Sequence, residues 1–133
     1  MNSINKLIEI NQAISDEGLV IYTWGNASFR NGPYMYIKPS GVPFKDLTPE
    51  MMSQVDLGTK QHVAGRKPSV DAPTHLELYR GFEDVNAIIH THSKYCTIFA
   101  QAKMSIPCLG TTHADYFYGE VPLVDDLEAH EIE

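Results

Sequence analysis

The stretch NAIIHTHSKYCTIFAQ, residues 86–101, constrains the fold more than any other part of the sequence. Ile88 and Ile89 give it strand propensity. The apolar run ends on His90 and His92, and from Ser93 the spacing turns helical. A strand that carries two imidazoles to its own end and then hands over to a helix needs a sheet with a polar mouth. Successive strand side chains point to opposite faces, so His90 and His92 emerge on the same one. Two imidazoles side by side can clamp a cation, and they can equally make ordinary hydrogen bonds.

The rest of the chain supplies the other elements. Apolar residues at Ile4, Leu7, Ile8, Ile10 and Ile14 predict a helix from Ser3 to Glu17, with Ser3 as its cap and Gly18 as its stop. LVIYTW reads as a strand running into GNAS, and YMYIK as the next, broken by the Pro/Gly turn PSGVPF. TPEMM starts a short helical piece with Thr48 as cap and Pro49 at its first position. SQVDL reads as a strand and GTKQHVAGRKPSV as a polar loop. DAPTHLELYRGF opens a helix, with Asp71 as cap candidate, Pro73 just inside and Gly81 at its end. VNAIIHTH is a strand, SKYCTIFAQAK a helix capped by Ser93, and SIPCLGTTHADYFYG a strand or extended loop. Interspersed strands and helices predict an α/β or α+β class, with a mixed or antiparallel sheet between helices.

At 133 residues the chain is one domain's worth of protein. Its net charge of −7 argues against nucleic acid or an anionic membrane as partner. An anionic small molecule would need a local basic pocket. No apolar run approaches the roughly 20 residues of a membrane span. The polar, amphipathic N-terminus is unlike a signal peptide, so a cytoplasmic location is expected. Cys96 and Cys108 fit no metal or disulfide framework by spacing and read as buried thiols.

Around the histidines stand further candidates. A metal site needs more ligands, and the pool is His62, His75, His113, His130 and the carboxylates. Asp71, at a loop end before a helix, can reach a neighbouring strand mouth or simply cap its own helix. TWGNAS and IKPSG each place Gly, Asn or Ser at a strand-to-loop transition. Their backbone amides, with Lys38, could cradle a phosphate or could be two ordinary turns. KPSV adds Ser69 beside Lys67.

Taken together, TWGNAS, IKPSGV, KPSVDAPTHLELYRGF, IIHTHSKYCTIFAQA and IPCLGTTHADYFYGEVP resemble the class II aldolase/adducin family, in order and over nearly the whole chain. The resemblance implies a three-layer α/β/α fold with a central, mainly antiparallel sheet flanked by helices. It implies a divalent metal, Zn2+ or another such as Mn2+, a sugar-phosphate substrate, and a homotetramer with sites between subunits. By the same carry-over His90, His92 and Asp71 are metal ligands. Gly25, Asn26, Ser40, Gly41 and Ser69 contact the substrate phosphate, Lys38 assists, and Asp115 is a catalytic acid/base. Aspartate at position 71, where the fuculose-phosphate aldolases carry glutamate, and GTTHADYFYG look like the family's epimerase branch. That likeness implies conversion of L-ribulose 5-phosphate to D-xylulose 5-phosphate by retro-aldol cleavage. A fuculose-type aldolase and an inactive, adducin-like binding domain are the alternatives.

Two departures stand out. Val70 occupies the place of a second family serine, which implies weaker phosphate binding. Residues 1–133 also match only the N-terminal part of the family's domain. The remainder, with a third histidine ligand and a catalytic tyrosine, has no counterpart by motif here.

Overall fold

A computed structural model describes residues 3–124 of the chain, which divides into two compact units, Met1–His92 and Ser93–Glu133. The first unit holds a helix, α1 (Ser3–Asp16), then strands β1 (Asn26–Asn31), β2 (Tyr34–Ile37), β3 (Ser53–Asp56) and β4 (His62–Ala64). A second helix, α2 (Ala72–Gly81), and a last strand, β5 (Ala87–His90), complete it. The strands form one sheet in the order β4-β3-β2-β1-β5. Every neighbouring pair is antiparallel.

Both faces of this sheet are covered, as period-2 patterning on two apolar faces requires. On one face Leu7 and Ile8 of α1 are buried with Ala27, Val42, Leu47 and Met52. On the other, Ala72, Leu76 and Tyr79 of α2 are buried with Met35, Ile37 and Val55. Each such Leu or Ile contributes roughly 1.5–3 kcal/mol by leaving water. The first unit is therefore an α/β/α sandwich around an antiparallel sheet, the expected architecture.

One polar side chain ties α1 to β1. Asn11, fully buried, donates from Nδ2 to the carbonyls of Leu7 and Ala27 at 2.9 and 3.3 Å. Its Oδ1 accepts the Ala27 amide at 2.8 Å. Helix α1 closes at Gly18, φ +68°. There the amides of Gly18 and Leu19 reach back to Ser15 and Ile14, the paired bonds of a Schellman end. Arg30 on β1 fastens the other helix, donating to the carbonyl of Tyr79 in the last turn of α2 and to those of Phe82, Glu83 and Val85 beyond it.

Several local expectations are corrected. Ser3 is itself the first helical residue, not a cap outside the helix. LVIYTW is no strand: it is a chain of turns in which Tyr22 takes φ +55° and Ile21, Tyr22 and Trp24 stay exposed. Its β-branched residues look strand-like, but no neighbouring strand pairs with them. The segment read as a polar loop contains β4, whose three residues are all exposed and which pairs with β3 through a bulge. Thr48 and Ser93 stand at cap positions without a side-chain cap bond.

The second unit carries α3 (Lys94–Gln101) and α4 (Thr111–Tyr116). Ile106 and Val121 exchange two backbone hydrogen bonds of 2.9 Å. Residues 105–119, expected to be extended, thus contain a helix. Gly110 enters it in extended conformation, and the Ala114 amide bonds back to the Gly110 carbonyl. None of the unit's described residues is buried, Cys96 and Cys108 included.

Candidate active site

The register of β1 against β5 sets one wall of a cavity. Asn26 stands opposite His90, so the turn leading into β1 lies beside the end of β5. His92 is past the strand. Its amide donates to the Leu19 carbonyl at 3.0 Å, and its ring centroid stays 4.8 Å from that of His90. Gly25 is obligatory at this junction. It has φ +78°, and a Cβ would come within 2.5 Å of Val20 Cγ1 and 2.8 Å of the His90 carbonyl oxygen.

A second wall comes from two loops with nearly the same sequence, KPSG (38–41) and KPSV (67–70). They pair antiparallel through Pro39 and Pro68. The Ser40 amide donates to the Lys67 carbonyl at 3.0 Å, and the Ser69 amide to the Lys38 carbonyl at 3.2 Å. The prolines face each other at a non-hydrogen-bonded position, where a missing N–H leaves nothing unsatisfied. This clasp brings Ser40 and Ser69 together although their motifs are far apart in sequence.

The resulting cavity has a volume of about 530 Å3. Gly25, Lys38, Ser40, Gly41, Ser69, Asp71, His90 and His92 line it, together with Thr23, Trp24, Pro39 and Val70. Of the phosphate and metal residues implied by the family resemblance in the first unit, all line this cavity except Asn26. That side chain is buried behind the wall. Its Nδ2 donates to Asp71 Oδ2 at 2.7 Å and to Ser69 Oγ at 3.1 Å, so it holds those residues from beneath. Its Oδ1 is buried without a hydrogen-bond partner.

Asp71 occupies the cap position of α2 but makes no side-chain cap bond. Instead Oδ2 accepts from His90 Nδ1 at 3.1 Å, Asn26 Nδ2 and Ser69 Oγ. The His90 bond, aided by its charge and by Asn26 and Ser69, holds the Asp71 carboxyl down to about 2 against the opposing effect of burial. The same bond raises His90 above the usual histidine range. An ionised carboxylate only accepts, so His90 carries its proton on Nδ1 and presents Nε2 as its free nitrogen. His92 is lowered, by burial first and then by His90.

Lys38 is the buried cation of the site, 1% exposed. It donates to the carbonyls of Thr23 and Pro39 at 3.2 and 3.4 Å and lies 4.5 Å from the centroid of the Phe44 ring. Burial brings its pKa down to about 8.

Below the cavity lies a polar group that sequence reasoning missed as a unit. Ser28 Oγ is 2.7 Å from His75 Nδ1 and 2.8 Å from Tyr79 OH. Burial pushes His75 to about 4, so it is neutral. Residues 75 and 79 are one helical turn apart and Ser28 is on a facing strand. That spacing was the only available signal, and it does not reveal the pairing of α2 with β1.

The remaining candidates fall elsewhere. His62 Nε2 bonds the Ala64 carbonyl on the edge strand. His113 and Asp115 belong to the second unit, with Asp115 exposed on α4. His130 lies outside the described residues. The donor set of His90, His92 and Asp71 suits a divalent ion of zinc's preferences, imidazole nitrogen with carboxylate oxygen. Among the described residues no group of three or more His, Cys, Asp or Glu is arranged to hold a metal ion as it stands. In this arrangement Oδ2 of Asp71 is engaged by Asn26, Ser69 and His90, and the carboxylate orients the His90 ring.

The sequence matches the Class II Aldolase and Adducin N-terminal domain over residues 5–133. An L-fuculose 1-phosphate aldolase structure is 30% identical with a TM-score of 0.74, over 79% of this chain and 50% of that one. L-Fuculose-1-phosphate aldolase from Thermus thermophilus is 26% identical with a TM-score of 0.75, over 89% and 60%. An aldolase II superfamily protein from Pseudomonas syringae, 20% identical with a TM-score of 0.66 over 78% and 45%, shares the fold. The chain spans 50–60% of the length of the two aldolases. No helix among the described residues is long and apolar enough to cross a membrane.

Proposed function

The chain belongs to the class II aldolase and adducin N-terminal domain family, and on that premise we propose that its cavity binds a short sugar phosphate beside a divalent metal ion, for a reaction that breaks and remakes a carbon–carbon bond. The finer reading is the interconversion of L-ribulose 5-phosphate and D-xylulose 5-phosphate, in the cytoplasm and in a homotetramer. One observation carries the sugar-phosphate and metal reading. Four sequence segments far apart in the chain bring two imidazoles, a carboxylate, a buried lysine and two serine loops to a single cavity.

In this reading Ser40, Gly41, Ser69 and Gly25 form the phosphate cradle, with Lys38 as the charge behind it. Asn26 keeps Ser69 and Asp71 in place. His90 and His92 hold the metal through ring nitrogens, and Asp71 fixes His90 by its Nδ1–H. A divalent ion there would supply Lewis-acid stabilisation of negative charge developing on substrate oxygens, zinc or manganese alike. A base takes the C4 hydroxyl proton and the C3–C4 bond breaks. Its electron pair stays with C3 while C4 becomes the aldehyde of glycolaldehyde phosphate. The cradle keeps the phosphate while the aldehyde turns its other face. C3 then attacks again, and the C4 oxygen recovers a proton. Asp115 is the acid/base for one face. The exposed aromatic run Tyr116, Phe117 and Tyr118 beside it suits a subunit contact.

The fuculose-phosphate aldolases among the structural relatives support a second reading, aldol cleavage of a related sugar phosphate. Asp71, at the position where the family resemblance implies glutamate in a fuculose-type aldolase, favours the epimerase. The deciding experiment measures bound metal and assays both reactions on the purified protein. Pentulose 4-epimerisation supports the proposal. Fuculose-phosphate cleavage alone replaces it with the second reading. Neither activity, with no metal bound, leaves an adducin-like binding domain.

A further inference from the structure

Trp24 is the aromatic side chain among the cavity's lining residues. It is 54% exposed, and it is the largest apolar surface in a lining that otherwise holds Pro39 and Val70 beside glycine, serine, threonine, lysine, carboxylate and imidazole. Its ring is held in place: Tyr22 meets it edge-on at 5.6 Å and 73°, and the His92 ring lies 5.8 Å away. The backbone around it is costly. Tyr22 takes φ +55°, a conformation unfavourable for a tyrosine. Gly25, the next residue, sits at φ +78° with no room for a Cβ. Strained backbone that holds a large apolar ring in the open mouth of a polar cavity is a pattern of ligand contact.

We propose that Trp24 is a specificity-determining wall of the site, its indole stacking on the C–H side of a polyhydroxylated carbon chain whose phosphate lies in the serine loops. The inference rests on the sugar-phosphate reading above and adds to it a flat aromatic face for the carbon chain. An indole offers a flat apolar face and a single N–H donor. An open-chain ketose phosphate has hydrogens on carbon to set against that face and hydroxyls left for the remaining polar groups of the cavity. Inorganic phosphate has nothing to stack, so Trp24 should discriminate between the two.

Trp24 is the chain's only tryptophan, so indole fluorescence reports on this position alone. The 133-residue protein is titrated with L-ribulose 5-phosphate and with inorganic phosphate, and calorimetry measures both affinities independently. The pentulose phosphate should change Trp24 emission saturably, and inorganic phosphate should leave it nearly unchanged. Trp24→Ala should weaken pentulose phosphate binding about 3- to 10-fold, about 0.7–1.4 kcal/mol at 1.4 kcal/mol per tenfold. It should leave inorganic phosphate affinity unchanged, and Trp24→Phe should recover most of the loss. Equal weakening of both ligands in Trp24→Ala would mean that the ring only props its loop, and would overturn the proposal. Unchanged binding of both would overturn it too. If calorimetry finds neither ligand bound by the parent protein, the sugar-phosphate reading itself fails and the wall falls with it. Pentulose phosphate binding without a response at Trp24 sinks the wall alone.

Discussion

Replacing Gly25 by alanine tests how tightly the two histidines are coupled to the turn before β1. The magnitude has two parts. A non-glycine residue in the left-handed region costs roughly 1–2 kcal/mol. The added Cβ would also stand 2.5 Å from Val20 Cγ1 and 2.8 Å from the His90 carbonyl oxygen. Valine is stiff at χ1, and the carbonyl belongs to a strand whose end is paired with Asn26. Neither can yield without moving its neighbours, and relieving such overpacking costs about 1–3 kcal/mol more. The sum, about 2–5 kcal/mol, is a large part of the roughly 5–15 kcal/mol that keeps a domain folded. Gly18→Ala is the control, since Gly18 has φ +68° and nothing within 4 Å of its would-be Cβ. It should show the strain alone. Urea unfolding followed by circular dichroism, with unchanged slope, gives both values. Equal losses in the two variants would mean that the junction has slack, and that Gly25 does not fix His90.

Other outcomes follow from the same geometry. Asn11→Ala leaves the buried Ala27 amide without its partner, while the Ala27 carbonyl keeps the Lys38 amide, and should cost about 1–3 kcal/mol in the same unfolding assay; a loss well below about 1 kcal/mol would show that water replaces it. Lys38 loses its positive charge as pH rises through about 8, so the affinity for inorganic phosphate should fall there, with a midpoint at or somewhat above that value because the anion favours the charged form. Lys38→Met should bind phosphate weakly with no such step, and a parent protein whose affinity is flat from pH 7 to about 9 would remove Lys38 from the cradle. In a catalytically active form, Asp115→Asn should lower turnover by about 10²–10⁴-fold with metal content unchanged; near-normal turnover would take Asp115 out of the mechanism.

What the sequence disclosed depended on how locally each feature is determined. Strands β2, β3 and β5 carry their own apolar signal, and α2 has Pro73 near its start and Gly81 at its end. Strand β4 escaped because its residues are all exposed at a sheet edge and no alternation marks them. LVIYTW misled for the opposite reason. Its residues favour strands, but Tyr22 turns the chain into the left-handed region and the segment bonds to the His92 amide instead of joining the sheet. The cavity residues were legible only as separate motifs. Their convergence is a long-range fact, set by the 26–90 register and by the clasp of the two KPS loops. Asn26 shows the limit most clearly. Its motif points to the phosphate, while its amide is used to hold Ser69 and Asp71.

The paired KPSG and KPSV loops have a consequence for dynamics. Each loop alone would be a surface turn whose amides open freely. Because Ser40 and Ser69 each donate to the other loop, neither bond can open without straining its twin across the facing prolines. The two turns therefore fluctuate as one cooperative unit, and their amides should exchange hydrogen at a common rate, slower than loop position suggests. In the proposed cradle, a ligand that engages either serine should therefore slow exchange in both loops.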